Sequence, residues 1–235
     1  AIVGPTESMS KSKKNTIDPE SIIKNYGADS VRLFILSDSP PEKDVQWSDQ
    51  GMMASFKFVQ KLWNLNSKVL DKIKNNEEKK ISNEENLSKF TNQLIHKVTQ
   101  NLEKFHYNVI VANLYEMYNF LIKEIDKPIK KEVLIENYRK ILILMNPFIP
   151  HFSNECLSTI NKNQISWPTI AMEDLIEDKI SFVVQINGKK RAILKVKRDM
   201  IKNDILETIK INKIIEKFLK EQKIKRTIFV PNRLI

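Results

Sequence analysis

The sequence contains little cysteine, glycine and histidine. Its 235 residues include one cysteine, four glycines and three histidines. The lone Cys156 excludes a disulfide within the chain and a zinc site built from several cysteines, and its apolar helical surroundings predict a small buried side chain. So few glycines disfavour folds made of sheets and tight turns and favour helices. His96, His106 and His151 are far apart and lack metal-ligand spacing, so we expect them at the surface or at helix ends.

The sequence also lacks a long apolar run. No segment approaches the roughly 20 apolar residues that a transmembrane helix needs. The opening residues Ala1–Gly4 lead into a proline and an acidic residue rather than into the apolar centre of a signal peptide. We therefore expect a cytoplasmic protein with no membrane partner. Because Ala1 is not a natural start, we also expect the chain to be a piece of a longer protein.

Positive charge is what the sequence has in excess. Lysine and arginine number 39 against 29 aspartates and glutamates, which gives a formal net charge of +10. Such an excess favours a polyanionic partner, either RNA or an acidic membrane surface. Lysine is far commoner than arginine, and asparagine and isoleucine are abundant, which we interpret partly as a base-composition bias of the source. The charge alone therefore does not decide the partner.

Apolar residues recur at three- and four-residue steps through the first two thirds of the chain, which predicts amphipathic helices. The predicted helices cover residues 19–25, 28–37, 49–73, 87–105, 108–125, 131–145 and 150–157. In the third of them the predicted buried stripe contains Met53, Phe56, Val59 or Gln60, Trp63 and Leu70. Trp47, just before it, is interpreted as a packing anchor, with stacking on a nucleotide as the alternative. Short connections between long helices indicate an antiparallel bundle.

The periodicity changes after residue 180. Phe182–Ile186 is β-branched and aromatic, Asn187-Gly188 is a strong hairpin signal, and Ala192–Val196 alternates apolar with polar residues. Helical spacing returns over residues 202–220, and a strand is predicted over residues 226–230. Basic residues crowd this α+β module: Lys189, Lys190, Arg191, Lys195, Lys197, Arg198, Lys223, Lys225 and Arg226. They would neutralise backbone phosphates on one surface, unless they are scattered for solubility.

A basic, serine-rich loop runs from Ser8 to Asn15 and leads into a helix start with Asp18 as N-cap and Pro19 at the first helical position. Ammonium groups and hydroxyls on a mobile loop suit the binding of a polyphosphate whose charge rearranges during a reaction. The alternative is a solvated basic linker, which is what most charge runs are.

The residues in and around this loop resemble a known protein family. Met9-Ser10-Lys11-Ser12-Lys13 and Asn15, then Asp18-Pro19 and Tyr26–Phe34, resemble the KMSKS loop of class I aminoacyl-tRNA synthetases and the helices after it. The resemblance implies that the loop stabilises the ATP phosphates during amino-acid adenylation, with Lys11 at the second lysine of the motif. Ser8 stands at the first lysine, which is a departure that removes one cation. The implied ATP-binding residues are Ser8, Met9, Ser10, Lys11 and Ser12, with Lys11 as the catalytic one.

Further stretches resemble the bacterial or organellar leucyl-tRNA synthetases. They are Ser39–Gly51, Phe56–Phe58, Leu62–Leu65, Lys104–Asn108, Asn146–His151 and Val184–Arg191. The resemblance runs from about Gly4 to the last residue. It implies a leucine–tRNA ligase that uses ATP with Mg2+, binds tRNA(Leu) and acts as a monomer, and it implies no metal site in this chain. The implied tRNA-binding residues are Lys189, Lys190, Arg191, Lys195, Arg198, Lys225 and Arg226.

Pattern and resemblance together predict a mainly α fold. The expected parts are the signature loop with connecting helices (1–47), a helical bundle of anticodon-binding type (48–165), a linker (166–179) and a small α+β tRNA-binding domain (180–235). Because no Rossmann core is present, we expect the isolated chain to be inactive and to hold no cofactor. Two alternatives stay open: a stand-alone RNA-binding module derived from a synthetase, and another class I synthetase with an aliphatic substrate.

Overall fold

The computed structural model divides the chain into two compact units, residues 1–174 and 175–235. It describes residues 6–75, 84–160, 166–171, 175, 179–212, 215, 217–218 and 225–235. The described residues are mainly helical, with one small antiparallel sheet. The predicted fold class, a helical bundle followed by a small α+β part, is confirmed.

Helices α1 to α7 lie in the first unit, and each predicted helix there is observed with ends shifted by at most a few residues. They are α1 Pro19–Tyr26, α2 Ala28–Asp38, α3 Asp49–Lys74, α4 Glu84–Glu103, α5 Tyr107–Glu124, α6 Lys131–Met145 and α7 Pro150–Thr159. The apolar stripes of α2 to α7 share one core, in which Leu33, Leu62, Leu114 and Ile141 are at most 1% exposed. This core joins α2 to the bundle.

Two local signals define the α1–α2 joint. Asp18 caps α1, because its Oδ1 accepts a hydrogen bond from the Glu20 amide at 3.3 Å and its Oδ2 accepts one from the Ser21 amide at 3.1 Å. Gly27 ends α1 with φ +81° and ψ 149°, a conformation that side chains rarely adopt. Helix α2 can therefore start at the next residue in a new direction.

The predicted buried stripe of α3 is wrong in most of its members. Of that set only Val59 is buried, whereas Met53 is 38% and Trp63 40% exposed. The core face lies on the neighbouring stripe, which contains Met52, Ser55, Phe58, Val59, Leu62, Leu65, Asn66 and Val69. Both stripes have helical spacing, so periodicity cannot separate them, and packing against α2, α5, α6 and α7 decides.

The second unit begins with the predicted hairpin. Strands β1 (Lys179–Ile186) and β2 (Lys189–Lys197) pair antiparallel, with an irregularity in register between Val184 and Gln185. Asn187 and Gly188 join them with φ values of +53° and +74°, as an Asn-Gly hairpin turn requires. Phe182, Val184 and Val196 pack with residues of the following helix in a second core.

The predicted helix over residues 202–220 ends early. Helix α8 covers Lys202–Ile211, because Asn212 is extended with φ −78° and ψ 110°. Residues 215, 217 and 218 are helical again, and the remaining positions between 213 and 220 lie outside the described residues.

The predicted strand over residues 226–230 is also wrong. Residues 226–229 form no strand, and Val230 makes only an isolated bridge. Instead residues 233–235 run beside β1: the Val183 amide donates to the Arg233 carbonyl at 3.0 Å, and the Ile235 amide donates to the Val183 carbonyl at 3.0 Å. Asn232 fixes this segment, since its amide exchanges two hydrogen bonds of 2.7 and 2.8 Å with Asp199.

Gly51, in the first turn of α3, gives a test of the packing between α2 and α3. A β-carbon there would lie 2.8 Å from Cε2 of Phe34, whose buried ring packs edge-on against Trp47 with centroids 5.3 Å apart. We expect Gly51→Ala to lower the free energy of unfolding by about 1–3 kcal/mol in urea titrations, although alanine is the better helix former. In a Phe34→Leu background the same change should cost little. An equal loss in both backgrounds would show that the clash is not the cause.

Cys156 is fully buried in α7, as predicted. Burial, and to a lesser degree the charge of Glu155, raises the pKa of its thiol from 9.0 to about 12. Above pH 9 the unfolded chain loses this proton while the folded chain keeps it, so the thiol's contribution to stability falls as pH rises, by at most about 1.4 kcal/mol per unit.

Urea unfolding of the parent and of Cys156→Ala at pH 8 and pH 10.5 measures this effect. The stability advantage of the parent should shrink by about 2 kcal/mol between the two pH values. Burial, and to a lesser degree the charge of Cys156, raises the pKa of the nearby Tyr138 well above 10.0. Since burial is the larger cause and is present in both proteins, Tyr138 contributes little to the difference. A constant advantage would mean that the thiol ionises in the folded state.

Candidate phosphate-contacting loop and nucleic-acid interface

The signature loop is closed by Asn15. The Asn15 Oδ1 accepts a hydrogen bond from the Ser10 amide at 2.8 Å, and its Nδ2 donates to the Ser8 carbonyl at 3.3 Å. Inside this closure the Lys14 amide donates to the Lys11 carbonyl at 3.2 Å, and Lys14 has a φ of +53°. Residues 8–15 therefore form an ordered surface turn. Asn15 defines the shape of this loop, a role that the sequence pattern did not reveal.

The side chains of the loop differ in what they contact. The hydroxyls of Ser10 and Ser12 lie 3.2 Å apart, and the Lys13 ammonium pairs with the Glu7 carboxylate at 3.1 Å. Lys11 and Lys14 are exposed and make no ion pair within the described part of the chain. Exposed pairs such as Lys13–Glu7 are weak, but this one reduces the net charge that Lys13 offers to an anion. Lys11 lies between Ser10 and Ser12 in the chain and has no ion-pair partner among the described residues.

Helix α2 is fastened to the start of α7 by two charged side chains. The Asp29 carboxylate, 7% exposed, accepts hydrogen bonds from the amides of Phe152 at 2.7 Å and His151 at 3.3 Å. Arg32 donates to the carbonyls of Pro147 at 2.6 Å and Phe148 at 3.3 Å. We call these contacts the α2–α7 clasp. They satisfy backbone groups at a helix N-terminus and at the preceding turn.

The exposed His151 ring also takes part in the clasp, with its Nδ1 2.9 Å from the Asp29 carboxylate. His151 lies in the first turn of α7 and His106 is the N-cap of α5, so both occupy helix ends, as predicted. His96 is half-buried in the middle of α4, away from either end. Trp47 packs on Phe34 and donates its indole N–H to Asp49 at 2.8 Å, which confirms the packing interpretation.

In the second unit the strand register sorts the basic residues by face. Lys195 pairs with Ser181 and Lys190 with Gln185, on the face opposite Phe182 and Val184. Lys197 lies two positions beyond Lys195 and is also exposed. Side chains alternate along a strand, and the register irregularity at Arg191 shifts that alternation by one position. Lys190, Lys195 and Lys197 therefore share the outer face of the hairpin.

The other predicted tRNA-binding residues lie apart from that group. Arg191 falls in the register irregularity, and its guanidinium lies 4.4 Å from the ring centroid of Phe218, a cation–π contact. Lys189 pairs with Ile186 next to the hairpin turn, and Arg198 lies in the turn after β2. Lys225 and Arg226 are exposed, whereas Lys223 lies outside the described residues.

Within the described ranges no group of three or more His, Cys, Asp or Glu side chains could hold a metal ion. The helices described here include none that is long and apolar enough to cross a membrane.

Comparison with known proteins gives two family matches. Residues 84–228 match the anticodon-binding domain of tRNA ligase. The chain belongs to this anticodon-binding family of tRNA ligases. Residues 4–48, which contain the signature loop, match the class I tRNA synthetases of the I, L, M and V group. The two matches together cover the loop, α1, α2 and the helices from α4 onward, whereas α3 lies between the two matched ranges.

Similar curated proteins are leucine–tRNA ligases. Those of Bradyrhizobium sp., Orientia tsutsugamushi and Wolbachia pipientis are 35%, 38% and 37% identical, each over 99% of this chain. The chain spans 27–28% of their length. A solved structure of similar fold is the ternary complex of Agrobacterium radiobacter LeuRS with tRNA and LeuAMS. It has a TM-score of 0.79 and 27% identity, and the match covers 96% of this chain and 31% of that one.

Proposed function

We propose that this chain is the C-terminal part of a leucine–tRNA ligase, which activates leucine with ATP and transfers it to tRNA(Leu). The observation that carries the proposal is the similarity to leucine–tRNA ligases over 99% of the chain. The chain supplies the ATP-phosphate loop and tRNA-binding surfaces, and leucine and ATP are bound together with the rest of the protein.

In the adenylation step Lys11 stabilises negative charge on the departing pyrophosphate of ATP, which enters as its Mg2+ complex. This electrostatic contact is strongest in the transition state, so it raises the rate rather than only the affinity. Ser8, Met9, Ser10 and Ser12 complete the loop. Lys11 is exposed, has no ion-pair partner among the described residues and lies between Ser10 and Ser12 in the chain, which supports this role.

The second unit contributes more to tRNA affinity than the bundle does. Lys190, Lys195 and Lys197 neutralise backbone phosphates without reading bases. The surrounding basic residues add to the same field: Lys189, Arg191, Arg198, Lys225 and Arg226. The proposed domains are the loop with its connecting helices (1–47), the helical bundle (48–165), a linker (166–179) and the tRNA-binding domain (180–235). The protein acts as a cytoplasmic monomer and needs no membrane.

The test is amino-acid-dependent ATP–pyrophosphate exchange by the full-length protein with leucine, isoleucine, valine and methionine. We expect exchange with leucine, charging of tRNA(Leu), and no exchange by the 235-residue chain alone. Preference for another of these amino acids would identify a different class I synthetase. Binding of RNA without any exchange by the full-length protein would favour a stand-alone RNA-binding module instead.

A further inference from the structure

The side chain of Asn15 binds the backbone on the N-terminal side of Lys11. Its Oδ1 accepts the hydrogen bond of 2.8 Å from the Ser10 amide, and this is the shortest hydrogen bond among the described residues of the loop. Its Nδ2 donates to the Ser8 carbonyl at 3.3 Å. Ser10 directly precedes Lys11 in the chain. The position of the Lys11 backbone therefore depends on a side chain four residues further along.

The backbone on the C-terminal side of Lys11 is held by longer bonds. The Lys14 amide donates to the Lys11 carbonyl at 3.2 Å, and the Lys13 amide donates to Oγ of Ser10 at 3.3 Å. Lys14 has a φ of +53°, a left-handed conformation that a β-carbon disfavours. A turn with such a residue persists only where other contacts hold it. The two bonds of Asn15 close the turn and so keep it in this shape.

Burial does little to hold the loop. Residues 8–14 are exposed apart from the half-buried Ser10, and Met9 is 48% exposed. None of these residues is part of the core described for the first unit. A segment with few buried apolar contacts opens easily. Without the amide of Asn15, the Lys11 ammonium would be spread over many positions.

Of the short polar side chains, asparagine is the one that supplies both groups that the closure uses. An aspartate at position 15 would accept from the Ser10 amide but could not donate to the Ser8 carbonyl. It would also bring a negative charge close to the ammonium groups of the loop. A neutral amide closes the turn and leaves the positive charge of the loop intact.

We propose that Asn15 is a positioning residue for adenylation, which holds the loop so that the Lys11 ammonium meets the departing pyrophosphate. In this step a carboxylate oxygen of leucine bonds to the α-phosphorus of ATP. The bond from that phosphorus to the oxygen that bridges it to the β-phosphorus breaks, and pyrophosphate leaves with the electron pair. The inference rests on the proposed function and adds a residue to it.

The physical reason is preorganisation. A charge that is already in place stabilises the transition state without reorganisation at the moment of reaction. A misplacement of about 1 Å can cost about 100-fold in rate. Asn15 contributes to the rate through Lys11, so its effect should vanish when the Lys11 ammonium is absent.

A double-mutant cycle on the full-length protein tests this, with leucine-dependent ATP–pyrophosphate exchange as the measurement. Asn15→Ala should slow exchange about tenfold in the parent, but less than about twofold in a Lys11→Ala background. A loss of folded protein would lower both rates by the same factor. The matched control is Thr16→Ala, which truncates the exposed polar neighbour of Asn15 and should leave the exchange rate unchanged in both backgrounds.

Limited trypsin digestion of the same full-length variants measures the loop directly. Asn15→Ala should speed cleavage after the lysines of the loop, Lys11, Lys13 and Lys14, because proteases cut segments that open. Thr16→Ala should be cut there as the parent is. Circular dichroism of Asn15→Ala should match that of the parent, since both hydrogen bonds of Asn15 lie within the loop.

Three results would overturn the inference: exchange by Asn15→Ala at the parent rate, an equal loss in the parent and the Lys11→Ala background, or unchanged cleavage of the loop. They are distinguishable from a failure of the proposed function. If the full-length parent shows no leucine-dependent exchange, or if Lys11→Ala exchanges at the parent rate, the proposed role of the loop fails, and this inference fails with it.

Discussion

Replacing Lys11 by alanine is expected to slow leucine-dependent ATP–pyrophosphate exchange by the full-length protein about 100-fold, the usual effect of removing one group that stabilises transition-state charge. The ammonium is exposed, has no ion-pair partner among the described residues, and lies in a turn closed by Asn15. Because the contact strengthens as charge develops on the pyrophosphate, kcat should fall much more than the KM for ATP rises.

Two neighbours serve as controls for Lys11. Lys13→Ala should slow exchange less than about fivefold, since its ammonium is paired with Glu7 and contributes little free charge. Lys24→Ala, in the last turn of α1, removes a charge that is also exposed but lies outside the loop, and it should have no effect. Equal exchange rates for Lys11→Ala and Lys24→Ala would show that Lys11 takes no part in catalysis.

Replacing Asp29 by alanine is expected to lower the free energy of unfolding of the first unit by about 2–3 kcal/mol, because the amides of His151 and Phe152 lose their common acceptor at a buried helix N-terminus. All three tryptophans, Trp47, Trp63 and Trp167, lie in this unit. Their fluorescence in urea therefore measures its unfolding directly.

The matched control for Asp29 is Asp18→Ala, which removes an exposed N-cap and should cost about 1 kcal/mol. Asp29→Asn keeps one acceptor oxygen, so its loss of unfolding free energy should lie between those of Asp18→Ala and Asp29→Ala. If Asp29→Ala lowered the free energy of unfolding no more than Asp18→Ala does, the α2–α7 clasp would not be an important link between the loop helices and the bundle.

The sequence predicted most helices because their apolar spacing, caps and prolines are local signals. Residues 131–145 were predicted with both ends correct, and Asp18, Pro19 and Gly27 have the predicted cap and stop roles. The core face of α3 could not be predicted, since two adjacent stripes have helical spacing and only the packing partners select Met52 and Leu62 over Met53 and Trp63.

Contacts between distant segments were the part that sequence reasoning missed. Asp29 and Arg32 lie more than 110 positions from the residues they bind, and no spacing rule connects them. Both ends of the clasp lie in or directly beside stretches that carry the family resemblance, Tyr26–Phe34 and Asn146–His151, which was the available signal. The pairing of residues 233–235 with β1 was missed for the same reason, because the side chain of Asn232 and not a hydrophobic pattern fixes that segment.

The candidate sites were predicted unevenly. The loop residues come from a contiguous motif. In the part of the chain that the structure describes, Asn15 closes the turn and Glu7 pairs with Lys13, while Lys11 is exposed and has no ion-pair partner. The basic residues of the second unit were predicted as a single group, but alternation along β2 and the irregularity at Arg191 divide them between faces. Composition predicts that such charges exist, whereas strand register decides which of them share a surface.

Lysine reactivity in the full-length protein tests the central claim most directly, namely that the loop contacts ATP and the hairpin contacts tRNA. Acetylation of individual lysines would be measured with and without ATP plus leucine, and with and without tRNA(Leu). We predict that ATP plus leucine protects Lys11, that tRNA protects Lys190 and Lys195, and that Lys24 and Lys210 react unchanged in every case. Unchanged reactivity of Lys11 with ATP, or protection by tRNA at Lys210 in place of the hairpin, would contradict the account.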